Sequence, residues 1–340
     1  MKTIAFFNNK GGVGKTSLAY HLTWMYAQMG VKVIAADLDP QSNLTSMFLD
    51  DDRLEELWSD DKAHTVLGAI QPLLKGVGDI SPPHIEVIEQ ADNIGLLVGD
   101  LALSSFEDEL SIQWLSCINR NERAFRVVSA FYRLAHQAAV MREAELIIID
   151  VGPNLGAINR AAIIAADYVI MPLAPDLFSL QGLRNLGPTL REWRTQWSER
   201  FDKNPQPSLA LPPRNSMQPA GYVILQHSVR LDRPVKAYDR WMNKFPTEYR
   251  RAVLNEPLNN VPSVNEDPHC LARLKNYRSL MPLAMEARKP MFSLKPADGV
   301  FGSQGKAVTD CYWAFNEVAI RIAKECEIKL PQELPLSHLA

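Results

Sequence analysis

The sequence predicts an α/β protein: a doubly wound, mostly parallel sheet with helices on both faces and with helical insertions. Three observations carry that expectation. Short apolar runs without polar alternation recur along the chain, which suits strands covered on both faces. Stretches of helical period separate these runs, which implies right-handed βαβ crossovers. The first run passes directly into closely spaced glycines and then into a helical pattern.

Strands are expected at 3–7 (TIAFF), 31–36 (VKVIAA), 94–98 (IGLLV), 146–149 (LIII), 168–173 (YVIMPL) and 221–225 (GYVIL). Each is rich in Val, Ile, Leu or Ala and is bounded by turn residues. Helices are expected at 16–29, where Leu18, Leu22, Met25 and Met29 share one side, and at 120–143, 156–166, 179–199 and 303–326. The Pro, Ser and Asn content of 202–219 reads as a surface loop. Residues 50–92 and 245–270 are long for connections and read as insertions with helices of their own. The expected organisation is therefore one domain over 1–330 with those two insertions, and a C-terminal tail at 331–340.

Composition bounds the class. At 340 residues, 46% hydrophobic and 22% charged, the chain can bury one large α/β core. No apolar run reaches the roughly 18–20 residues of a membrane span, and Met1 leads almost directly into a strand, so a cytoplasmic protein is expected. Cys117, Cys270, Cys311 and Cys326 are far apart with no C-x-x-C and read as buried thiols. The net charge of −3 hides an asymmetry: 201–290 holds 14 Lys/Arg against 8 Asp/Glu, while `DDDRLEELWSDD` at 50–61 is acidic. A regional positive balance is compatible with a phosphate-binding face. Trp241, Tyr249, Arg250 and Arg251 interleave aromatics with base, but aromatics at helical spacing read more readily as core.

The chemistry-bearing stretch is `FFNNKGGVGKTSLAY` at 6–20. Gly11, Gly12 and Gly14 let the backbone turn tightly, so that the N–H groups of the loop and of the following helix face an anion. Gly11, Gly12, Val13, Gly14, Lys15, Thr16 and Ser17 form such a phosphate cradle, with Lys15 offsetting β- and γ-phosphate charge and the Thr16 hydroxyl ligating Mg²⁺. The pattern G-x-x-x-x-G-K-[ST] is not met, because its first position is Asn9, and an extra lysine, Lys10, precedes the glycines. `ELIIIDVGPNLG` at 145–156 is an apolar strand ending in Asp150, where an acid beside the cradle can bind a magnesium water.

KGGVGKT, with `AADLDPQSNLT` at 35–45 and LIIID downstream, resembles the ParA/MinD family of deviant Walker A P-loop ATPases, most closely its ParA-type partition ATPases. Matching pieces run through `GLLVGDLALSSFEDEL`, `AADYVIMPLAPDLFSLQGLRNL`, `GYVILQHSVRLDRPV` and `LKNYRSLMPLAMEARKPMFSL`, and so span nearly the whole chain outside the insertions and tail. The resemblance implies that Lys10 reaches across a nucleotide-sandwiched homodimer to the partner's phosphates. It implies that Asp37 holds the water shell of Mg²⁺ and that Asp39 orients or activates the attacking water. The family's D-x-P-P is here Asp-Val-Gly-Pro, which keeps Asp150 and changes the second switch loop. Gln226, after the late strand, is placed to touch the adenine.

Relatives with other purposes fit less well. Iron–sulfur members need paired cysteines, MinD-type members end in a basic amphipathic helix, and tyrosine autokinases carry a C-terminal tyrosine cluster. This chain has no suitably spaced cysteine pair, a proline-interrupted end and no tyrosine after Tyr312. The resemblance therefore implies an ATP- and Mg²⁺-dependent hydrolase, slow without a stimulating protein partner, that binds nonspecific DNA as a dimer in plasmid or chromosome partition or cargo positioning. By motif position its DNA-binding residues are Arg230, Arg233, Lys275 and Arg278, and DNA would bring it to the nucleoid. The alternative is an ATP-gated sensor or assembly protein of a defence or mobile-element system, recruiting an effector through the insertions.

Overall fold

The computed structural model describes residues 1–59, 64–225, 235–277 and 279–331 of the chain. Among them, eight strands form one sheet in the order β3-β4-β2-β5-β1-β6-β7-β8. They are β1 Lys2–Phe6, β2 Val33–Asp37, β3 Glu86–Val87, β4 Ile94–Leu97, β5 Leu146–Asp150, β6 Tyr168–Leu173, β7 Gln218–Leu225 and β8 Cys270–Leu274. Every neighbouring pair is parallel except β3 with β4. The helices, in chain order, are α1 Lys15–Gln28, α2 Asn43–Phe48, α3 Asp51–Leu57, α4 Val66–Leu74, α5 Glu107–Ser116, α6 Glu122–Val128, α7 Ala130–Arg142, α8 Ala157–Ile164, α9 Leu177–Phe201, α10 Val235–Met242, α11 Phe245–Glu248, α12 Met281–Ala287 and α13 Ser303–Glu325. None of these described helices is long and apolar enough to cross a membrane.

Strand side chains alternate between the two faces of a sheet, so a strand that is apolar at every position needs cover on both. On one face Ile4, Phe6, Ile148 and Ile170 pack with residues of α1, α2, α3, α12 and α13. On the other, Ala5, Phe7, Ile147, Ile149 and Val169 pack with α4 to α9. The strands at the centre of the sheet therefore have fully buried backbones, and only their ends reach solvent.

Two strands lie outside the sequence expectation. β3 is two residues long and pairs antiparallel at the sheet edge. β8, CLARL, lacks β-branched residues and contains an exposed arginine, both weak strand signals. The helical period over 120–143 is broken at Ser129, between α6 and α7. The four cysteines are buried and free.

Residues 245–254 do form helical structure, with α11 followed by a π-helical turn, Tyr249–Leu254. This piece is clamped to α9. Arg184 pairs with the buried Glu248 at 3.0 Å, Arg191 donates to the Ala252 and Val253 carbonyls, and a Cβ on Gly187 would fall 1.9 Å from the Ala252 oxygen. Tyr249 is buried, and Arg250 donates at 2.7 Å to buried Asp267, which also accepts from Tyr222 at 2.7 Å. Tyr249 and Arg250 thus serve the core, whereas Arg251 is exposed and pairs with Glu248.

Candidate active site

Because the sheet is doubly wound, the loops that follow β1, β2, β5 and β6 meet at its carboxyl edge, the usual place for a ligand in such folds. The loop after β1 turns through Gly12 (φ 69°) and Gly14 (φ 91°) into α1. At Gly14 any side chain would be both strained and crowded, since its Cβ would lie 2.9 Å from the Leu225 Cδ1. No side chain caps α1, so its first N–H groups remain available to an anion. Asn8 anchors the loop from below: its amide donates to the Pro172 carbonyl at 2.6 Å, and its oxygen accepts from the Lys10 N–H at 3.0 Å.

Strand register brings the acids together. Asp37 and Asp150 are opposed at the ends of β2 and β5, with Phe6 on the far side of Asp150. Both aspartates are fully buried. Asp37 accepts from the Thr45 N–H at 2.8 Å and its hydroxyl at 2.7 Å, and one carboxylate oxygen takes the Asp39 N–H at 3.3 Å. Neither oxygen of Asp150 has a hydrogen-bond partner. Burial raises the pKa of Asp150, and the charges of Asp37 and Asp39 add to the rise. The Thr16 hydroxyl and Lys15 work against it, Thr16 from close by but without a hydrogen bond of normal geometry. Burial also raises Asp37, where the Thr45 bonds oppose and the Asp39 charge adds.

An orphaned buried carboxylate in a cluster of acids beside a threonine hydroxyl fits a divalent cation. No group of three or more His, Cys, Asp or Glu among the described residues forms a complete cage. Mg²⁺ takes one or two carboxylates and fills its shell with water and phosphate, so its site requires no full protein cage. Asp39 is buried, accepts from the Gln41 N–H at 3.0 Å, and lies against Gly152, where a Cβ would come within 3.1 Å of its Oδ1. A side chain at Gly152 would therefore press on the Asp39 carboxylate.

Lys15 is buried and donates to the Lys10 carbonyl at 3.4 Å; burial lowers its pKa, against the pull of Asp150 and Asp39. Lys10 stands at the front of the cradle, paired with Asp176 of its own chain. Asp176, Thr45 and Asn8 escape sequence reasoning, because only the fold brings them to the motif residues.

A cavity of about 290 Å³ adjoins the cradle, lined by Gly14, Ser17 and Leu18 and by Leu225, Leu274, Asn276, Tyr277, Met281, Met291 and Phe315. Its apolar lining suits a purine base, a feature that no motif announces. Lys275 is exposed and lines the same cavity. Gln226, Arg230, Arg233 and Arg278 lie outside the described residues.

An AAA-domain family model matches residues 1–203. The sporulation initiation inhibitor protein Soj of Bacillus subtilis is 30% identical over 190 residues, covering 56% of this chain and 65% of Soj. Among solved structures, protein DIP2308 from Corynebacterium diphtheriae superposes with a TM-score of 0.71 at 25% identity, covering 96% of this chain and 98% of that one. The ATP complex of a McdA variant from Cyanothece gives 0.61 at 16% identity, with 98% and 99% covered, and so shares the fold.

Proposed function

Given that the chain belongs to the AAA-domain family and, within it, to the ParA/MinD-type P-loop ATPases, we propose that it is a Mg²⁺-dependent ATPase that pairs around two ATP molecules. In this reading the dimer binds DNA without sequence preference and acts as a switch in plasmid or chromosome partition or in cargo positioning. The observation that carries hydrolysis is the buried, unpartnered carboxylate of Asp150 beside Thr16 and Lys15, with Asp37 and Asp39 at the neighbouring strand end. Such a cluster costs stability in the empty protein and is relieved by a cation.

Each residue has a task in this scheme. Backbone N–H groups of the glycine loop and of the start of α1 orient the triphosphate, and Lys15 offsets its charge. Thr16, Asp150 and Asp37 would hold Mg²⁺, Asp37 through its water shell; when bound, the ion would neutralise negative charge that develops on the phosphate. Asp39 orients the attacking water. Phosphoryl transfer needs little beyond such positioning and charge stabilisation. Lys10 serves the nucleotide of the second copy. Support for pairing comes from the apolar residues left exposed around the mouth, Leu155, Leu177 and Phe178. Turnover is slow until a partner protein stimulates it, since a switch that hydrolysed at once would never populate its bound state.

Sedimentation velocity with ATP, ADP and no nucleotide tests the dimer. ATP alone should drive pairing, and Lys10→Ala should abolish both pairing and turnover; a Lys10→Ala protein that pairs and hydrolyses normally rejects the reading. Retention on nonspecific duplex DNA tests the second half. It should fall steeply as salt rises and be lost when Arg230, Arg233, Lys275 and Arg278 are replaced together by alanine.

A further inference from the structure

The side chain of Lys10 is tied to the connection between β6 and α9, and its main chain is tied through Asn8 to β6 itself. Its N–H is held by Asn8, which is itself bonded to Pro172 at the end of β6. Its ammonium group pairs with the carboxylate of Asp176, and lies 5.6 Å from the centre of the Phe178 ring. Asp176 divides its two oxygens: one takes Lys10, and the other accepts the Ser179 N–H at 2.8 Å, capping α9. The side chains of the ion pair are 29% and 37% exposed, and the next two residues, Leu177 and Phe178, are 50% and 71% exposed. The charge that is read as serving a second copy is thus neutralised at home, on the rim where that copy would dock.

We propose that Asp176 is a positioning residue that acts as a latch, holding Lys10 on its own chain until an ATP-loaded second copy offers a stronger anion. The inference rests on the reading that Lys10 serves the partner's nucleotide. A single, partly solvated carboxylate is a weak competitor: exposed pairs of this kind hold their partners by about twofold to fivefold in equilibrium terms. A nucleotide triphosphate carries several times the charge of one carboxylate and takes the ammonium away, whereas a diphosphate, one phosphate poorer, competes less well. Pairing then also buries Leu177 and Phe178. In this scheme the latch sharpens the response to the γ-phosphate at a small cost in dimer affinity.

Asp176→Asn isolates the charge, because asparagine keeps an acceptor for the α9 cap. The dimer dissociation constant is measured by sedimentation velocity with a nonhydrolysable ATP analogue and with ADP. Asp176→Asn should tighten pairing by about twofold to fivefold and narrow the preference for the triphosphate. Asp176→Ser, a second capping residue without charge, should do the same, and adding Asp176→Asn to Lys10→Ala should change nothing further. Thermal unfolding of both variants establishes that α9 remains capped. Weaker or unchanged pairing in Asp176→Asn, while Lys10→Ala abolishes pairing, overturns the latch and leaves the dimer reading intact. Undisturbed pairing in Lys10→Ala itself overturns both.

Discussion

A carboxylate without a hydrogen-bond partner in a fully buried position destabilises a fold, and Asp150 is such a group, with two further acids beside it. In the proposed reading it is kept for cation binding rather than for packing, and the two roles can be separated. Asp150→Asn removes the repulsion from Asp37 and Asp39 while nearly preserving shape. The nucleotide-free variant should be more stable to urea at pH 8 by about 1–3 kcal/mol, and its ATP turnover should fall at least about 100-fold. Lower stability with unchanged turnover would mark Asp150 as a structural acid instead. Gly152 offers a second test at this scale. A methyl group there would crowd the Asp39 Oδ1 from 3.1 Å, so, if Asp39 positions the attacking water as proposed, Gly152→Ala should lower kcat by roughly tenfold with little change in KM.

At the scale of elements, the contact between α9 and the turn at Tyr249–Leu254 depends on a missing side chain. The Cβ of Gly187→Ala would overlap the Ala252 carbonyl at 1.9 Å, and both are backbone-bearing, so neither can simply rotate away. The expected result is a loss of about 3 kcal/mol or more, or undocking of the segment. Limited trypsin digestion reads the difference, since Arg250 and Arg251 should be cut early in the variant and late in the wild type. Here the sequence is only half legible. A glycine inside a long helical pattern signals a close approach, because it costs about 1 kcal/mol relative to alanine, but its partner lies far along the chain. The central strands are readable because full burial makes them apolar at every position. β8 is not, since its strand is held by pairing with β7 and by the α13 cover rather than by its own composition.

Across the whole molecule, the cradle and its acids are legible because each motif ends a strand and the parallel sheet aligns those ends. The partners that tune the motifs are not, since Asp176 is 166 residues from Lys10 and Met291 is 270 from His21. His21 shows what such long-range bonds do for stability. It is fully buried on α1, its Nδ1 donates to the Ser17 carbonyl at 2.7 Å, its Nε2 accepts from the Met291 N–H at 3.2 Å, and its ring stacks on Phe315. That arrangement requires the neutral imidazole and ties the cradle helix to the C-terminal third. Burial pushes its pKa down to about 4, against about 6.5 in an unfolded chain. Above pH 6.5 both states are neutral and the full contribution is present. As pH falls from 6.5 toward 4 only the unfolded chain gains the proton, so stability falls, by about 3 kcal/mol in all. The raised acids Asp37 and Asp150 act in the opposite sense, since they bind protons in the folded state first. Urea midpoints of wild type and His21→Gln compared from pH 7.5 to 4.5 cancel that shared background. The gap between the two proteins should shrink steadily as the pH drops, and a gap independent of pH would mean that His21 is protonated inside the fold.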